Sequence, residues 1–164
     1  MKKGIYIRFA TLLWVALVVT GCNAQQSDSK YYLLLMGESE NWNLTDYEIV
    51  ITPQDFNAGY GNLIMKNEEE YITDYFHFDT HVVINGEDMV VHSGSSTGGM
   101  DISEETTGAI EGGTYLNKND EPITLNDVSD IYMIVEWWDN STEKSVNERL
   151  DLYKKSNTEE TFFN

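Results

Sequence analysis

The sequence predicts an all-β protein built as a single immunoglobulin-like antiparallel β-sandwich. Three observations predict it. Apolar residues recur with a period of two rather than 3.6. The runs that show this period are short and separated by polar, turn-forming stretches. Only two prolines occur in 164 residues, and no stretch sustains a long amphipathic helix.

The order of elements begins with a segment that the fold does not use. The chain opens MKKGIYIRFATLLWVALVVTGC. Lys2, Lys3 and Arg8 form a basic head, and Phe9 to Val19 an apolar core too short to span a bilayer as a mature helix. The core closes on Val19-Thr20-Gly21-Cys22, a branched apolar residue and two small ones before a cysteine. That is the pattern of a bacterial lipobox. A lipoprotein signal peptide is therefore expected over 1–21, with Cys22 carrying the lipid. Cys22 is the only cysteine, so neither a disulfide nor a thiol nucleophile is available. Residues 22–30 are polar and read as a tether.

The sandwich is expected over 31–157. In "LTDYEIVIT", Tyr47, Ile49 and Ile51 alternate with Asp46, Glu48 and Val50. In "YFHFDTHVVI", Phe76, Phe78, Thr80, Val82 and Ile84 share one face. Asn85-Gly86 is the strongest short-range hairpin signal in the chain. A second hairpin joins "DIYMIVEWW" to "KSVNERLDLY". Its expected register sets Trp137 against Val146, Met133 against Leu150 and Ile131 against Leu152. Helical turns are expected at most around Asp55-Phe56-Asn57 and Asn126-Asp127-Val128. The Gly/Ser/Thr-rich stretch Ser93 to Thr114 reads as a long mobile loop or a weak edge strand. Residues 158–164 read as a flexible tail.

Two blocks carry a resemblance. "LLLMGESENWNLTDYEIVIT" at 33–52 and "DIYMIVEWWDNSTEKSVNERLDL" at 130–152 resemble a group of small uncharacterised lipoproteins of Bacillus-type bacteria. The shared features are the lipobox, the GESENW-like segment Gly37 to Trp42 and a closing strand pair with an isoleucine–tryptophan pattern. The adjacent Trp137-Trp138 and the longer turn after them depart from that pattern. The resemblance implies a surface lipoprotein and assigns no catalytic residue.

Candidate chemistry centres on the histidines, all three of which lie between Tyr75 and His92. With Asn85-Gly86 as the turn, Asp79 is expected opposite His92 and His81 opposite Val90. His77, Asp79, His81 and His92 then share the polar face. Imidazole and carboxylate are good zinc ligands. Directly opposed residues sit about 5 Å apart, close enough to share an ion. His77 and His81 stand about 13 Å apart along a strand, so only one of them completes the set. The alternative is that these residues form the wet side of a hairpin. A one-residue bulge would send His92 to the other side.

Other features are weaker. Glu68-Glu69-Glu70 with Asp74, and "NKNDEP" at 117–122, carry oxygen ligands suited to calcium but lack the EF-hand loop pattern, and read as solvated turns. Trp138 is expected on the face opposite Trp137, with Tyr132, Ile134 and Glu136. There it either stacks a sugar ring or covers the sheet. No G-x-S-x-G, H-E-x-x-H or S-x-x-K motif occurs, so a non-catalytic role is expected.

Charge narrows the partners. Cleavage before Cys22 would remove three of ten basic residues and none of 28 acidic ones, leaving seven against 28, a net charge of −21. Such a body repels nucleic acid, anionic lipid and phosphate-rich polymer. The expected partners are the membrane, through lipid on Cys22, and a cationic or envelope protein. No cofactor is expected unless the histidine face holds zinc. The expected location is the extracytoplasmic side of the cell membrane.

Overall fold

The computed structural model describes residues 30–155. The expected signal peptide, Cys22, the tether up to residue 29 and the tail from 158 lie outside the described residues. Ten strands follow one another: β1 (Tyr31–Glu38), β2 (Trp42–Ile51), β3 (Phe56–Gly59), β4 (Asn62–Met65), β5 (Ile72–Ile84), β6 (Glu87–Asp101), β7 (Glu104–Thr106), β8 (Ala109–Gly112), β9 (Val128–Asp139) and β10 (Lys144–Lys154). A 3₁₀ turn at Leu125–Asp127 precedes β9, capped by the Thr124 side chain and a returning Asp127 carboxylate.

The strands form two antiparallel sheets. One has the order β10-β9-β5-β6. The other is built on β2, with β1 along one side and β3 and β4 along the other, then β8 and β7. β3 and β4 are one strand with an interruption at Tyr60–Gly61. β2 pairs with both in unbroken register, Ile51 opposite Phe56 and Trp42 opposite Met65. β7 and β8 are likewise one strand broken at Thr107–Gly108, with Phe56 opposite Gly112 and Ile64 opposite Glu104. Each sheet therefore has four tracks, and the two pack as a β-sandwich.

The inner faces meet in one core. Trp42, Tyr47, Ile49 and Ile51 come from β2, and Phe76, Phe78, Val82, Ile131, Met133 and Trp137 from the opposite sheet. Trp42 is fully buried, its ring centroid 5.7 Å from those of Phe76 and Trp137. Burying side chains of this size is the main favourable term in such a domain, about 25 cal/mol per Å² of apolar surface removed from water.

Several sequence expectations need correction. The strand order is not that of an immunoglobulin domain. There the chain crosses to the second sheet after two strands, whereas here β1, β2 and β3–β4 stay in one sheet. Of the two readings of Ser93 to Thr114, edge strand holds and long loop does not, since β6, β7 and β8 all lie at sheet edges. The stretch supplies the second half of β6 and all of β7 and β8. Main-chain pairing needs no large side chain, and at Gly94 a side chain is excluded: a Cβ there would lie 2.5 Å from the Phe78 ring. Asp55-Phe56-Asn57 leads into β3 rather than a helical turn. In the last hairpin Trp137 faces Val146 and Met133 faces Leu150 as expected, but a bulge at Leu152 sets Tyr153 opposite Ile131.

A line of interruptions crosses the β2 sheet. Between Leu35 and Gly37 the β1–β2 register shifts by one. On β2, Asp46 has φ 58°, and Tyr60 in the next track has φ 61°. In the last track Gly108 has φ 64°. The Tyr60 amide donates to the Gly108 carbonyl at 2.6 Å, and the Gly61 amide to Thr107 Oγ1 at 3.0 Å. Gly59 has φ 143°, and a Cβ there would collide with the Gly108 carbonyl and with Ala109.

Gly59→Ala is therefore expected to lower the unfolding free energy by about 2 kcal/mol or more. Gly113→Ala, where a Cβ would enter open space, serves as the neutral control. Urea midpoints of the two variants test this. Equal midpoints would show that the break tolerates a side chain.

Candidate functional site

The outer face of the β10-β9-β5-β6 sheet collects most of the side chains singled out from sequence. Alternation along β5 buries Phe76, Phe78, Thr80, Val82 and Ile84 and leaves Tyr75, His77, Asp79 and His81 outward and half-buried. Along β9 the outward set is Asp130, Tyr132, Ile134, Glu136 and Trp138. β10 adds Ser145, Asn147, Arg149 and Asp151, opposite Trp138, Glu136, Ile134 and Tyr132 respectively.

His92 is not among them. The Asn85-Gly86 turn forms as expected, with Ile84 opposite Glu87 and His81 opposite Val90. A bulge then inserts one residue in β6, so that Thr80 faces His92 and Asp79 faces Ser93. The expected Asp79–His92 pair is thereby broken, and His92 turns into the core at 3% exposure. The remaining two histidines do not converge either. His77 Nε2 lies 3.0 Å from Asp79 Oδ2, and His81 Nδ1 lies 3.0 Å from Asp88 Oδ1. Each imidazole has its own carboxylate on a separate part of the face. Among the described residues no three His, Cys, Asp or Glu side chains are grouped to hold a metal ion.

What the face presents instead is a set of stacked rings among hydrogen-bonding groups. His81 stacks on Tyr132, centroids 4.6 Å apart and planes 8° apart. Arg149, from the β10 side, places its guanidinium 3.5 Å from the same ring centroid. The Tyr132 hydroxyl donates to Asp88 at 2.5 Å. That bond holds the Asp88 carboxyl below its ordinary range, with His81 helping. Arg149 also bonds Asp130 at 2.9 Å and Asp151 at 2.6 Å. Toward the other end of the sheet, Tyr75 stacks on His77 with planes 21° apart. Trp138 emerges at that end too, since its neighbour Trp137 is the inward partner of Phe76. Ser145 donates to Glu136 beside it. The stacking of Tyr132 between His81 and Arg149, and the part played by Tyr75, were not read from sequence, because each depends on pairing across three strands.

The calcium candidates are turns. The Asn117 side-chain oxygen accepts from the amides of Asn119 and Glu121. The run containing Glu68, Glu69 and Glu70 links β4 to β5 and is exposed. Cys22 lies outside the described residues.

Inside the sandwich His92 belongs to a polar cluster. Its Nδ1 lies 2.9 Å from the Tyr47 hydroxyl, which is also 2.9 Å from Thr80 Oγ1. The Phe78 ring meets His92 edge-on at 5.2 Å. Burial lowers the His92 pKa from its ordinary 6.5, and the Thr107 main chain opposes that shift in part. Burial likewise raises that of Tyr47. The imidazole is therefore neutral at pH 7.

No family model, curated protein or solved structure matches this chain.

The depressed His92 pKa has a definite consequence for stability. The unfolded chain takes up the imidazole proton at about pH 6.5 and the folded chain only at lower pH. This contribution is complete above pH 6.5 and is lost as pH falls through the folded value. The expected slope reaches at most about 1.4 kcal/mol per pH unit, one proton's worth. Urea melts between pH 7.5 and 5 test it, with His92→Gln expected to flatten the dependence. A wild-type profile flat over that range would show that His92 titrates normally. Zinc is expected to leave the melting temperature unchanged at neutral pH. A rise abolished by His77→Ala or His81→Ala would reinstate a metal site on the outer face.

Proposed function

We propose that this chain is a lipid-anchored, extracytoplasmic binding module of the cell envelope, non-catalytic, whose ligand meets the outer face of the β10-β9-β5-β6 sheet. The lipobox ending at Cys22 supports the anchor, as does the resemblance of 33–52 and 130–152 to small lipoproteins of Bacillus-type bacteria. The observation that carries the binding surface is the shared placement of Trp138, Tyr75 and His77 on one open sheet face beside Glu136, Ser145 and Asn147. Flat rings with hydrogen-bonding groups at their margins are what a sugar ring needs: its apolar face stacks and its hydroxyls bond at the edge. A glycan is therefore the ligand class this face fits best.

The strongly acidic surface favours a second class, a cationic envelope partner. Salt separates the two. Stacking on Trp138 is nearly salt-independent, whereas charge-driven capture weakens as ionic strength rises through 0.15 M, where the Debye length is about 8 Å. Trp138→Ala is expected to reduce retention of the folded protein on purified envelope glycan by about tenfold, an aromatic contact being worth about 1.4 kcal/mol. Undiminished retention would remove the glycan assignment. Fractionation of cells carrying Cys22→Ser tests the anchor separately. The variant is expected in the soluble fraction, and its continued recovery with membranes would refute lipidation.

A further inference from the structure

We infer that the β1 edge of the sandwich lies on the phospholipid surface to which the chain is anchored, leaving the opposite sheet's outer face toward the envelope. The inference rests on the lipid-anchored reading above and adds an orientation to it.

Three observations lead there. First, β1 carries an unbroken outward apolar stripe. Tyr32, Leu34 and Met36 are 56%, 54% and 69% exposed, and Val50 continues the stripe beside Tyr32 on β2. A strand's outward positions in a strongly acidic protein would ordinarily be polar, as Glu48, Asn57 and Glu111 are in the adjoining tracks. Second, the stripe begins where the tether ends. Only eight residues, Asn23 to Lys30, separate Cys22 from Tyr31. Fully extended they span at most about 30 Å, so the first strand cannot leave the neighbourhood of the bilayer. Third, cations gather at that end. Asn41 bonds Glu148 through its amide (2.9 Å) and its Nδ2 (2.5 Å), and Gly37 packs against Asp151 and Leu152. β1 and β10 thus lie side by side in opposite directions, and the start of β1 meets the end of β10. Lys30, Lys154 and Lys155 fall there, three of the seven basic residues after Cys22. A large apolar stripe with a tyrosine, next to the exposed Lys30 and Lys154, whose ammonium groups suit headgroup phosphates, is the chemistry of an interfacial contact.

The test uses the lipidated full chain in phosphatidylcholine vesicles containing a small fraction of spin-labelled lipid. Leu34→Cys and Met36→Cys carry an environment-sensitive fluorophore. Asn147→Cys, exposed on the far sheet, carries the same label as reference. Cys22 is blocked by its lipid and does not react. The Leu34 and Met36 labels are expected to shift to the blue and to be quenched severalfold more strongly than the Asn147 label. Equal emission and quenching at all three positions would overturn the inference. A shift at Leu34 without quenching by spin-labelled lipid would place a second copy of the chain on the stripe, and would overturn it too. Flotation of the same samples reads the anchor itself. Protein that floats while its β1 labels stay wet refutes the orientation alone, and protein that does not float refutes the anchored reading as well.

Discussion

The tyrosine at position 47 holds the sandwich to a single arrangement. It is fully buried on β2, and its hydroxyl bridges to Thr80 on β5 and His92 on β6. A buried hydroxyl left without partners costs about 1–3 kcal/mol, so both sheets must present their polar atoms to the same point. The interruptions in the two sheets follow from that requirement. In the β5–β6 pair the extra residue at the bulge turns His92 inward. In the other sheet Tyr60 stands opposite Tyr47, and Gly108 opposite Tyr60, where the paired strands break together. Gly61 has no side chain where a Cβ would come within 2.8 Å of the Tyr47 ring. The buried polar contact and the chain breaks around it form one device centred on Tyr47, whose loss would remove the partner that both Thr80 and His92 have there.

This device explains which parts of the fold were legible in the sequence. Period-two alternation in β2 and β5, the Asn85-Gly86 turn and most of the last hairpin's register are local signals, and the structure agrees with them. The His92 bulge is not local. It is secured by Tyr47, 45 residues away, and nothing in "DMVVHSGS" announces it. A one-residue shift reverses the facing of everything beyond it, so a single bulge, read from sequence only as an alternative, dissolved the expected set of Asp79, His92 and one further histidine. Glycine-rich β6 was obscured for a related reason. Its role is to pair with β5 and to make room for Phe78, and neither task calls for an apolar side chain. Trp42 carried a signal within the GESENW-like block but no alternation to show that it lay at the centre of the core.

Electrostatics divides the outer surfaces in a way that composition alone conceals. A chain with 28 acidic residues would repel itself if those charges were unpaired, yet on the β10-β9-β5-β6 face many are tied down. Asp79 meets His77, Asp88 meets His81 and Tyr132, and Asp130 and Asp151 share Arg149. Exposed pairs of this kind contribute little to stability. Their effect is positional, since they fix rings and carboxylates in one pattern across four strands and leave Tyr75 and Trp138 framed by groups that do not need to reorganise. A preorganised face loses less entropy on binding than one whose side chains must first be ordered.

The two faces also differ in what water does to them. On the far sheet the rings lie among fixed hydrogen-bond donors and acceptors, so an aqueous ligand can exchange water for protein at small cost. Along β1 the outward Tyr32, Leu34 and Met36 give water only the Tyr32 hydroxyl. Leaving such a stripe wet forfeits the free energy of burying it, and an edge strand with an apolar face invites association with other chains. In the proposed anchored orientation, a bilayer kept within reach by a short tether would relieve both problems, because contact with lipid would cover the stripe before another protein could. The same contact would turn the far sheet away from the membrane. In that proposed arrangement one sheet meets the ligand and the other the anchor, so a single domain would carry both tasks.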